Sequence, residues 1–145
     1  MRKFRFRLQP VLQFREQKEE QALLAHSRAQ REYLDRVEEL NRTNSLLEES
    51  FTVCNEGPMR LENQFHLQLW RERLINDRDC RREDVARAGE KLERCRMEAL
   101  EARHQRMILQ KLKEKQLQAH ILEANRADQK EVDEQGLRLF WCRRN

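Results

Sequence analysis

Glycine, proline and aromatic residues are all scarce in this 145-residue chain, which has three Gly, two Pro and an aromatic content of 6%. That scarcity, with 30 basic against 26 acidic residues, excludes a disordered chain, which favours Pro, Gly and high net charge. Apolar residues are few as well: 38% of the chain is hydrophobic and 39% charged, with a mean hydropathy of −1.06, where an ordinary domain has roughly 45–50% apolar and 25% charged. This is too little apolar surface to close a compact core. No run approaches the roughly 18 consecutive apolar residues of a membrane span. The basic start MRKFRFRLQP is followed by no apolar stretch of signal-peptide type, so a cytosolic protein without a transmembrane segment is expected. Cys54, Cys80, Cys95 and Cys142 form no Cys-x-x-Cys pair, which points to reduced thiols and away from zinc. What remains is the Ala/Glu/Lys/Leu/Arg-rich class of long helices and coiled coils, an all-α fold.

Breakers cluster at Asn55-Glu56-Gly57-Pro58, where Gly suits the residue past a helix end and Pro cannot continue one. The expectation is a single elongated domain, residues 1–145: helix 1 over about 9–54, a hairpin over 55–59, a longer helix 2 over about 60–135 and a frayed tail over 136–145 beginning at Gly136. Pro10 fits the first turn of helix 1, and Gly89 marks either a close helix contact or a soft point. On helix 1 a heptad seam reads Leu12, Glu16, Glu19, Leu23, His26, Gln30, Tyr33, Val37, Leu40, Asn44, Leu47, Phe51 and Cys54. On helix 2 it reads Leu67, Arg71, Leu74, Arg78, Arg81, Val85, Ala88, Leu92, Cys95, Ala99 and Ala102. A stutter then moves it to Leu109, Leu112, Gln116 and Ala119. A hairpin centred near Gly57 sets residue i opposite about 115 − i, so the end of helix 2 overhangs helix 1 with an apolar stripe in need of another molecule.

Charge is segregated along the chain. Residues 1–15 carry five basic and no acidic groups, and residues 16–56 carry five basic and ten acidic. Residues 57–115 carry fifteen and eleven. An acidic first arm and a basic second arm favour antiparallel pairing within the chain, setting register more than stability, because an exposed ion pair contributes only about 0–1 kcal/mol.

Catalysis finds no footing, since the chain has no Gly-rich phosphate loop and no His-Glu-x-x-His, and its four histidines are scattered. No enzyme and no cofactor are expected. Nucleic acid has to be weighed at a pI of about 9.1. However, the densest basic cluster, Arg71, Arg73, Arg78, Arg81 and Arg82, is interleaved with Asp77, Asp79, Glu83 and Asp84, and phosphate tracking needs an uninterrupted stripe. Apolar residues off the seam are more telling. Leu34, Leu46, Phe65, Leu69 and Trp70 either widen the seam or form a partner surface toward the hairpin, where Trp is a favoured anchor.

Two stretches resemble the ends of the FliJ family, the stalk protein of the bacterial flagellar type III export apparatus. One is FRFRLQPVLQFREQKEEQA, from Phe4 to Ala22; the other, more specific, runs from Glu123 to Phe140 and carries Asn125, Asp128-Gln129-Lys130 and Asp133-Glu134. The resemblance implies a two-helix antiparallel coiled coil whose open end enters the hexameric flagellar export ATPase. It further implies contacts with the cytoplasmic domain of the membrane export-gate protein and with export substrate chaperones, in the cytoplasm at the inner-membrane base of the flagellum. ATPase contacts then fall to Phe4, Arg5, Phe6, Arg7, Leu8, Ile108, Leu109, Leu112, Asn125, Asp128, Gln129, Lys130, Asp133 and Glu134. Export-gate contacts fall to Tyr33, Leu34, Leu40, Phe65, Leu69 and Trp70. The alternative is a generic coiled-coil scaffold or adaptor with no ATPase partner.

Overall fold

A computed structural model describes residues 3–52 and 60–144 of the chain. It contains two helices, α1 (Gln9–Thr52) and α2 (Leu61–Arg144), and no strand among the described residues. Residues 53–59, which include Cys54 and the expected hairpin, lie outside the described residues. α1 starts where the sequence places it: a turn donates the Gln9 amide to the Phe6 carbonyl at 3.2 Å, and Pro10 occupies the first helical turn, where a missing N–H costs nothing. α2 opens with Glu62 in its first turn, where a carboxylate suits the positive end of the helix dipole. Gly136 does not end α2. The helix continues through it to Arg144, because an isolated glycine costs only about 1 kcal/mol inside a helix with good formers on both sides.

The chain divides into two compact units, Met1–Glu19 with Ala102–Asn145, and Glu20–Glu101. In the second, the α1 and α2 segments pair antiparallel. Glu32 meets Lys91 at 2.6 Å and Glu39 meets Arg81 at 3.0 Å. Tyr33 packs beside Gly89, and Arg71 reaches Ser50. Residue i therefore faces about 121 − i in this unit, several residues beyond the expected 115 − i. The first turns of α2 thus have no counterpart on α1, and Leu61 and Phe65 are exposed.

The seam itself differs from expectation in an informative way. On α2 all eleven residues of the 4,3 series from Leu67 to Ala102 are buried or half-buried, and Arg106, Leu109, Lys113 and His120 continue the same register, with Gln116 between the last two exposed. On α1, Leu12, Glu19, His26, Tyr33, Leu40 and Leu47 are enclosed as expected, but most of the alternate positions lie one residue earlier. Arg15, Ala22, Ala29, Thr43 and Ser50 turn inward, whereas Glu16, Leu23, Gln30 and Phe51 are exposed. Val37 alone keeps its expected place over Arg36, and Asn44 is half-buried beside the buried Thr43. Ala29 is 2% exposed and Ser50 0%, against 53% for both Leu23 and Phe51. Small side chains fill many of the enclosed positions on both helices, Ala29, Thr43 and Ser50 on α1 and Ala88 and Ala99 on α2. A seam chosen for bulk picks Leu23 and Phe51, which face outward, over Ala22 and Ser50, which face in.

Inside this narrow seam the hydroxyls are satisfied locally. Thr43 Oγ1 donates to the Glu39 carbonyl at 3.1 Å and Ser50 Oγ to the Leu47 carbonyl at 2.6 Å, so their burial leaves no polar atom unpaired.

Candidate protein-docking surfaces

In the unit formed by Met1–Glu19 and Ala102–Asn145, the N-terminal residues lie along α2. Arg15 donates to Gln105, and Arg106 pairs with Glu19 in the least exposed ion pair of those described, with side chains 24% and 13% accessible. Phe4 meets His120 edge to face, ring centres 5.7 Å apart. Phe6, expected to contact a partner, is instead buried and belongs to the core of this unit. Phe4 and Leu109 are half-buried, while Arg5, Arg7, Leu8, Ile108 and Leu112 are exposed. The most specific string stands farthest out. Asn125, Asp128, Gln129, Lys130, Asp133 and Glu134 are all exposed, as is every residue from Asn125 to Arg143. The only side-chain link recorded within the string is Gln129 Nε2 donating to Asp133 Oδ1 at 3.0 Å, one turn on. The α2 end therefore offers three carboxylates, two amides and one ammonium on a preformed rod, able to meet a partner without folding first.

In the unit Glu20–Glu101 the second expected surface splits. Tyr33 and Leu40 are half-buried in the seam, Tyr33 with its ring against Gly89, where an added Cβ would lie 3.6 Å from Tyr33 Cε2. Leu34, Phe65, Leu69 and Trp70 are exposed. By the pairing of this unit Leu34 lies opposite the neighbourhood of Ala88, about five turns of helix from the region facing Trp70, so one patch cannot hold both groups. Instead Leu61, Phe65 and Leu69 form a stripe at i, i+4, i+8 along the start of α2. Close to it, Arg71 sits over the Phe51 ring, 4.5 Å from its centre. Leu61 belongs to this surface beyond the residues expected for it, and its i, i+4 spacing with Phe65 is the signal for it; Phe51, placed on the seam by its heptad position, is exposed.

Arg71 also donates to the Ser50 carbonyl. α1 has no basic residue in its own last turn, so a guanidinium from α2 supplies the positive charge that its terminal carbonyls favour. Each inter-helix ion pair described, Glu19–Arg106, Glu32–Lys91 and Glu39–Arg81, puts the acid on α1 and the base on α2, as the segregated charge predicts. Lys91 holds the Glu32 carboxyl below its ordinary value, first by hydrogen bonding and then by charge.

The described grooves are open faces of single helices, one lined by Leu24 to Glu39 of α1 and others by α2 alone. Among the described residues no group of His, Cys, Asp or Glu is placed to hold a metal ion. Cys80, Cys95 and Cys142 are free thiols. No described helix is long and apolar enough to cross a membrane.

Over residues 4–145 the chain matches the family profile described as Flagellar FliJ protein. The chain belongs to the FliJ family. Membership makes it a component of the flagellar export apparatus, in a family of structural and chaperone type rather than of enzymes. No curated protein and no solved structure matches it.

Proposed function

We propose that this FliJ-family chain is a soluble stalk and general chaperone component of the flagellar type III export apparatus, working in the cytoplasm at the inner-membrane base of the flagellum. Its unit containing both termini inserts into the hexameric export ATPase, and the start of α2 engages the cytoplasmic domain of the membrane export gate. Export substrate chaperones are its further partners. The observation that carries the reading is the coincidence of the family match with the exposed string Asn125–Glu134, which has no role in the chain's own packing. Asp128, Lys130, Asp133 and Glu134, with Arg5 and Arg7, set orientation by charge. Leu8, Ile108 and Leu112 supply apolar contact, with half-buried Phe4 and Leu109 at its margin. Phe6 contributes by holding the N-terminal segment on α2. On the export-gate side, Phe65, Leu69 and Trp70 are the direct contacts and Leu34 is a separate one, while Tyr33 and Leu40 shape the seam behind them.

The test is capture of the same organism's flagellar ATPase by the full chain and by a chain ending at Asn125. Because residues beyond it are exposed, the shortened chain keeps its helical circular dichroism per residue and loses ATPase capture. Undiminished capture would remove the tail from the ATPase site.

A further inference from the structure

Beyond Ala124 the exposed face of α2 has a property that a rod built only for one foreign partner does not require: it is complementary to itself. Val132, Gly136, Leu139, Phe140 and Arg143 follow one another at i, i+4, i+7, i+8 and i+11, which puts them on one helix face, with Asp128 one turn before them. Val132, Leu139 and Phe140 are 62%, 72% and 59% exposed, and a Cβ added at Gly136 would meet nothing within 4 Å. Nothing inside the chain explains a glycine here, although it weakens the helix by about 1 kcal/mol relative to alanine. The charges on either side of it are opposite. Residues 123–134 carry two basic and five acidic groups, and residues 135–145 carry three basic and none acidic.

We propose that the α2 tails of two copies of this chain associate antiparallel, crossing near Gly136. Only that direction sets the acidic segment of each copy on the basic segment of the other; a parallel pair would set like on like. The crossing brings Asp128 of one copy beside Arg143 of the other, and Val132 beside Leu139 and Phe140. The missing side chain at Gly136 lets the backbones approach where they cross. The occupant is a second copy because the one face that carries Val132, Leu139 and Phe140 also carries Asp128 at one end and Arg143 at the other, so it supplies both members of a reciprocal ion pair, as a two-fold interface requires. Since Asp128 also belongs to the proposed ATPase surface, self-association and ATPase engagement exclude each other on the tail. The dimer itself does not depend on the ATPase reading, and it is measured without any ATPase present.

Sedimentation equilibrium of the full chain over a concentration series tests it. The weight-average mass is expected to rise from the 17.8 kDa of one chain toward twice that value. A chain carrying Arg138→Glu and Arg143→Glu, and another carrying Asp128→Arg and Glu131→Arg, should each stay at the mass of one chain with unchanged helicity, because all four positions are exposed. Mixing the two variants should restore the doubled mass, since each now offers the charge that the other lacks. A wild-type mass that stays at one chain throughout, single variants that dimerise as the wild type does, or a mixture that fails to recover would each overturn the proposal.

Discussion

At the scale of single residues, stability rests on how little side chain the seam can hold. Ala29→Leu should destabilise the chain by about 1–3 kcal/mol, because extra methylenes at a 2% exposed position force the helices apart. Leu23→Ala, which removes a larger side chain, should change stability by less than about 0.5 kcal/mol, because Leu23 is mostly exposed. Thermal denaturation of the two variants distinguishes the observed seam from the one chosen for bulk, which predicts the reverse order. Gly89→Ala should stabilise by about 1 kcal/mol through helix propensity, since the new Cβ meets Tyr33 at ordinary van der Waals distance. Glu32 gives a pH signature. Lys91 lowers its folded-state pKa, so its contribution is present above the unfolded carboxylate value and is lost as pH falls through the lower folded one. Melting temperature should therefore drop on acidification below about pH 4.5, and Glu32→Gln should flatten part of that drop.

The helices themselves were legible in the sequence to different depths. α1 and the start of α2 follow from Pro10, the breakers at 55–58 and the 4,3 spacing, whose every named position on α2 from Leu67 to Ala102 is enclosed, with Ile75, Asp84 and Gly89 half-buried beside them. On α1 the same periodicity fits two registers that share Leu12, Glu19, His26, Tyr33, Leu40 and Leu47. The choice between them turned on whether bulky or small residues fill the alternate positions, and only the partner helix decides that. The end of α2 was misplaced because glycine is a stop signal only when nothing downstream sustains the helix; Leu137 to Arg144 do so. Phe6 illustrates the same limit at the docking surface: an alternating Phe-Arg-Phe-Arg segment reads as free to bind, yet its second ring is used internally. Phe6→Ala should accordingly loosen the terminal segment, costing about 3 kcal/mol if the site does not collapse. Hydrogen exchange should show faster exchange in the first turns of α1, with the Glu20–Glu101 unit unchanged.

For the whole molecule, the low apolar content first seen as a deficit is accounted for by a two-helix fold that encloses few side chains in each unit and leaves many apolar residues, from Leu23 to Trp141, exposed. Family membership places that fold in flagellar export; the role proposed for it there turns on the exposed end of α2. The most direct measurement is binding of the full-length chain to the assembled hexameric flagellar ATPase, with Asp128→Lys and Asp133→Lys introduced together in a parallel sample. The account predicts saturable binding of the native chain to the hexamer, and at least tenfold weaker binding of the doubly substituted chain, about 1.4 kcal/mol or more, at unchanged helicity. Absence of binding by the native chain, or equal affinity for both, would contradict it.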